Sequence, residues 1–91
     1  MIEARRIKDG ETSEFEVVVR EGSGESRHHV TIDRKTCERL SGGGHTPEHL
    51  LEASFRFLLD REPKESILRR FDITAISGYF PEFERELPHY L

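Results

Sequence analysis

The chain has 91 residues, 34% of them hydrophobic and 35% charged, with 14 basic and 18 acidic side chains and a net charge of -4. That length fits one domain, residues 1–91, whose lean core sits under a highly charged surface. The acidic balance argues against nucleic acid as the main partner, and the single cysteine excludes an internal disulfide. No apolar run approaches the roughly 18 residues of a membrane span, so no membrane association is expected.

The first third reads as strands. "IEARRIK" is a weak strand ahead of Asp9-Gly10, a favoured hairpin dipeptide. "SEFEVVVRE" alternates, with Phe15, Val17 and Val19 on one side and Glu14, Glu16 and Arg20 on the other. "SRHHVTIDR" does the same, with His28, Val30 and Ile32 opposite Arg27, His29, Thr31 and Asp33. Between them "GSGE" supplies hairpin glycines. The expected product is an antiparallel meander with one polar face in water.

Asp33 is placed to cap a short helix, "RKTCERL", that turns Cys37 and Leu40 inward. "SGGG" then breaks the chain, and Thr46 followed by Pro47 marks the next helix start. This helix should run to about Arg61. Glu48, Glu52, Arg56 and Asp60 form one polar stripe at i+4 spacing. Nearly everything else is apolar, an arc of about 240° against a usual face of little more than 100°. A three-stranded sheet covers one side of such a helix, and something else must cover the other.

The C-terminal third is the candidate cover. "PKESILRRF" reads as a second helix from Pro63, with Ile67, Leu68 and Phe71 on one face. Asp72 is placed to cap a third, in which Ile73, Ile76, Phe80 and Phe83 recur at helical steps until Pro81 ends or kinks it. Tyr90, past Pro88, lies beyond this pattern and is expected to be mobile or to dock elsewhere. The fold class is therefore α+β. It consists of a small antiparallel meander of two or three strands over about residues 2–33, then two or three helices over about 47–84, in two layers.

"SFRFLLDREPKESIL" followed by "RFDITAISGYFPEFE" resembles a block shared by a group of short, uncharacterised bacterial proteins. The resemblance covers residues 46–84. It implies a compact bacterial domain and carries over no activity, cofactor or catalytic residue. A lone cysteine, and a start without an apolar signal core, place the protein in the cytosol.

Four constellations bear on chemistry. Gly43, Gly44, His45, Thr46 and His49, in "GGGHTPEH", form a candidate ligand loop, since exposed amides at a helix start bind anions. Thr46, Pro47 and Glu48 each oppose that use, the P-loop lysine is missing, and a flexible connector is the simpler reading. His45, His49 and Glu52 invite a metal reading, but His45 precedes the cap and so is not a helical partner of His49. His28 and His29 point to opposite faces of their strand.

Cys37 has basic neighbours Arg34, Lys35 and Arg39, which lower a thiol pKa, against the commoner role of a small buried hydrophobe. Arg56, Arg61, Lys64, Arg69 and Arg70 cluster in sequence but are diluted by Asp60, Glu62 and Glu65. No nucleophile motif or carboxylate pair at a recognisable spacing occurs, which argues against an enzyme, and no cofactor or metal is expected.

The leading expectation is a small non-enzymatic protein-interaction module. Its partner is another protein or a second copy, since self-association also completes a lean core. Tyr79 and Tyr90 are the candidate partner-facing residues. The alternative is a regulator that contacts nucleic acid through residues 56–70. Third comes an enzyme or sensor with an anion or metal site at residues 42–49.

Overall fold

Alternation builds the sheet. In the computed structural model, which describes Met1–Leu91 throughout, β1 (Ile2–Lys8), β2 (Thr12–Glu21) and β3 (Gly24–Asp33) pair antiparallel in chain order. Phe15 faces Val30 and Val17 faces His28, so both strands turn the same set to one side. The β2–β3 loop is two residues, Gly22-Ser23, and Gly22 takes φ 58°, the position where a tight hairpin turn needs glycine.

The outer sheet face is largely polar, with Val18 buried on it. Arg5 and Arg27 both reach Glu16, at 2.9 and 3.5 Å, and His29 meets Glu14 at 3.0 Å. Exposed pairs of this kind contribute little to stability. A register shift between Arg6 and Lys8 makes Ile7 the extra residue of a bulge in β1, and Ile7 is 53% exposed.

Caps set the two main helices. Asp33 accepts from the Thr36 amide at 2.7 Å and starts α1 (Arg34–Ser41). Gly42, at φ 71°, ends it in the left-handed conformation. Thr46 accepts from the His49 amide at 3.1 Å and starts α2 (Pro47–Leu59). Gly43 also has positive φ, 82°, so the glycine run is a shaped turn as well as a connector.

Two expectations for the C-terminal third are corrected. Residues 63–71 do not form a helix. A short 3-10 turn, Lys64–Ser66, leads into a fourth strand, β4 (Arg70–Asp72), parallel to β3. The sheet is thus four-stranded and mixed, in the order β1-β2-β3-β4, rather than a pure meander. The physical reason lies at the edge of β3, whose amides and side chains need partners. The His29 amide donates to the Arg69 carbonyl at 2.7 Å, and Thr31 Oγ1 donates to Asp72 Oδ1 at 2.6 Å.

Residues 73–89 are broken turns rather than one helix. Asp72 does cap their start, accepting from the Thr74 amide, but the product is a 3-10 turn (Ile73–Ala75) running into α3 (Ile76–Tyr79). Pro81 separates this from α4 (Phe83–Glu86), and a last 3-10 turn follows (Leu87–His89).

The expected covering of α2 is nevertheless present. Leu50, Leu51, Ala53, Phe55, Phe57 and Leu58 are all buried. Phe55 lies on the sheet side, 5.3 Å from the His28 ring. Phe57 lies on the other, met edge-on by Phe80, Phe83 and Tyr90 at 5.0 to 5.9 Å between ring centres. The aromatic C-terminal segment is the second wall of the core.

Candidate functional site

The end of α2, the 62–71 segment and α3 enclose an apolar groove. Leu58 comes from α2, Ile67 and Leu68 from the extended segment, Phe71 from β4, and Ala75, Ile76, Tyr79 and Phe80 from α3 and its ends. The strand that replaces the expected helix creates this space. Period-two geometry turns Phe71 inward beside Val30, while Ile67 is buried and Leu68 is left 44% exposed at the rim. Tyr79, 68% exposed, forms another part of the rim. The cavity is about 240 Å³. That exceeds the roughly 150 Å³ that accepts a benzene ring and falls below the roughly 300–1,000 Å³ of small-molecule pockets. That volume is on the scale of one large side chain.

Glu62 is the only charged residue in the lining. Burial pushes its pKa above the ordinary carboxylate value, and no neighbouring cation counters that. The cations that flank it in sequence are taken by other acids: Lys64 pairs with Glu65 at 2.8 Å and Arg61 with Glu82 at 3.0 Å. Glu62 is thus a partly buried acid in an apolar wall, without a counter-charge.

His28 ties the groove's outer strand to the sheet. Its Nδ1–H donates to the Leu68 carbonyl at 2.8 Å, so Nε2 is the acceptor for Ser26 Oγ–H, also at 2.8 Å. Burial lowers its pKa from the ordinary 6.5; the bond to Leu68 opposes this and the charge of Arg69 adds to it. The two bonds hold the ring in one orientation between Ser26 and Leu68.

The candidate ligand loop at residues 42–49 uses part of its polar capacity internally. The Gly43 amide donates to Ser41 Oγ and the His49 amide to Thr46, so two of its donors are used internally. His45 and His49 stack, ring centres 4.9 Å apart and planes within 17°. His49 Nε2 is buried without a hydrogen-bond partner. No group of three or more His, Cys, Asp or Glu side chains is placed to hold a metal ion. Cys37 is half-buried, and burial raises its pKa despite the nearby Arg6, the opposite of an activated thiol.

Of the two candidate partner-facing tyrosines, Tyr79 faces solvent at the groove. Tyr90 is half-buried: its ring covers Phe57 while its hydroxyl donates to Asp60 at 2.6 Å and accepts from Arg61 at 3.4 Å. The basic cluster is largely engaged. Arg56 donates to the Tyr90 carbonyl, Arg61 lies over the Phe57 ring and pairs with Glu82, and Lys64 pairs with Glu65. No helix is long and apolar enough to cross a membrane.

The groove itself was missed in the sequence because Ile67, Leu68 and Phe71 also fit a helical face. A signal did exist at Glu62, whose neighbours at i±3 and i±4 are Leu58, Leu59, Glu65 and Ser66, with no cation among them. Comparison with protein-family models, curated proteins and solved structures finds no significant match to this chain.

Proposed function

We propose that the protein is a non-enzymatic protein-interaction module and that the groove beneath Leu68 and Tyr79 is its docking surface. The observation that carries this reading is the groove's exposed apolar rim. Two of the four exposed large hydrophobic residues in the chain, Leu68 and Tyr79, line one cavity sized for a side chain. Scattered apolar residues need no explanation, but a rim around a preformed apolar hollow does. The occupant is a segment of another protein or of a second copy.

Site-specific photo-crosslinking in the native cell tests this. A photoreactive phenylalanine analogue at position 79 or 68 is expected to yield discrete protein adducts. The same group at Lys35, on α1 and away from the groove, is expected to yield none. Adducts at position 35 alone, or adducts to nucleic acid at Arg69 or Arg70, would overturn the reading.

A further inference from the structure

The rim is apolar, but the wall contains a charge, and that combination narrows the chemistry of the partner. Glu62 lines the same hollow as Ile67 and Ile76, and no cation of this chain pairs with it. An uncompensated acid in an apolar wall costs stability in the free protein. An occupant that brings a cation to that point removes the cost, whereas a purely apolar one deepens it by excluding water.

The size of the hollow admits one large side chain. A symmetric pair of chains meeting groove to groove would bring two Glu62 carboxylates together. Two exposed large apolar residues of this chain have a basic neighbour in sequence: Leu68, beside Arg69 on the groove's own rim, and Ile7, between Arg6 and Lys8. Docking Ile7 of one copy into the groove of another joins unlike surfaces, and such contacts run on as open chains unless their rotation closes a ring.

We propose that the groove receives a short segment of a different protein in which a large apolar side chain stands next to a lysine or arginine. The apolar group fills the space over Ile67 and Ile76, and the cation meets Glu62. This inference rests on the interaction-module reading and adds the chemistry of the partner.

The test is selection from a random heptapeptide library displayed on phage, with the full chain immobilised. The enriched sequences are then synthesised, and affinities measured by fluorescence anisotropy. Enriched peptides are expected to pair a large apolar residue with Lys or Arg within two positions. Glu62→Gln is expected to weaken their binding about tenfold, the range of one charge-assisted contact, and to erase the preference for lysine over norleucine. Leu68→Glu, at an exposed rim position, is expected to abolish binding while the thermal melt stays cooperative.

Apolar peptides enriched without a basic partner, or equal binding by Glu62→Gln, would overturn the inference and leave the docking reading standing. Peptides indifferent to both Leu68→Glu and Tyr79→Asp would overturn both. Concentration-dependent sedimentation that Leu68→Glu abolishes would identify a second copy as the occupant and overturn the inference alone.

Discussion

The hydroxyl of Tyr90 donates to Asp60 Oδ2 across 30 residues of sequence, at 2.6 Å, and this contact fixes the end of the chain against the end of α2. Arg61 completes the arrangement. Its guanidinium lies 3.6 Å from the centre of the Phe57 ring, whose edge-on neighbours include Tyr90. The aromatic C-terminal segment is held by directed contacts as well as by burial.

Tyr90→Phe keeps the ring and loses the bonds to Asp60 and Arg61, so it should lower stability by about 1 kcal/mol. Removing residues 88–91 deletes the ring as well and should cost about 2–4 kcal/mol, with Phe57→Ala at about 3–5 kcal/mol. Urea denaturation of the four proteins gives the ranking. Wild-type stability in the truncated chain would show that the segment is not part of the core.

The glycine run supplies a sharper local test. Gly42 and Gly43 have φ of 71° and 82°, and Gly44 does not have positive φ. Alanine at Gly43 should cost about 1 kcal/mol even though nothing lies within 4 Å of the added carbon. Alanine at Gly44, also in open space, should be neutral or slightly stabilising. Equal effects in thermal melts would show that the turn does not hold its left-handed conformation.

Acid should act through His28. Burial lowers its folded-state pKa below the ordinary 6.5, so the native state binds fewer protons than the unfolded state just below that value. Stability is therefore expected to fall as pH drops from about 7 through 6.5 and on towards the depressed folded value. Asp33 and Glu16 have pKa values lowered by hydrogen bonds from Thr36 and Arg5, so their contributions are lost only below the ordinary carboxylate range. Melting temperatures at pH 7.5 and 5.5 should differ more in the wild type than in His28→Gln. An identical difference in both would show that His28 does not titrate against folding.

Glu62 has the opposite sign. Its folded pKa is raised by burial, so the folded state is penalised above that pKa and relieved as pH falls through it. Glu62→Gln should melt at a higher temperature than the wild type at neutral pH, and the gain should shrink on acidification. A residue that costs stability while lining a groove is what a binding role predicts. A lower melting temperature at neutral pH would mean that Glu62 has a structural partner in solution.

The legible parts of the fold were those with local signals. Alternation, broken only by Val18, in Phe15–Val19 and in His28–Ile32 specified β2 and β3, and Asp33 and Thr46 marked both helix starts through their own side chains. The wide apolar arc of α2 correctly required a second wall. β4 was not legible, because three residues paired parallel with a strand some forty positions earlier leave no periodic trace, and Ile67, Leu68 and Phe71 match a helical face by accident of spacing. Tyr90 was misread for a related reason. Position near a terminus argued for mobility, while its actual partners, Phe57, Asp60 and Arg61, lie 29 or more residues away. The groove depends on β4, so it could not be read before β4 was placed.

The docking claim is tested most directly by methyl nuclear magnetic resonance during titration with an enriched heptapeptide. The methyl signals of Ile67, Leu68, Ala75 and Ile76 are expected to shift and saturate together, while those of Val18 and Thr31, on the outer face of the sheet, stay fixed. Shifts confined to Val18 and Thr31, or groove methyls that do not move at saturating peptide, would contradict the account.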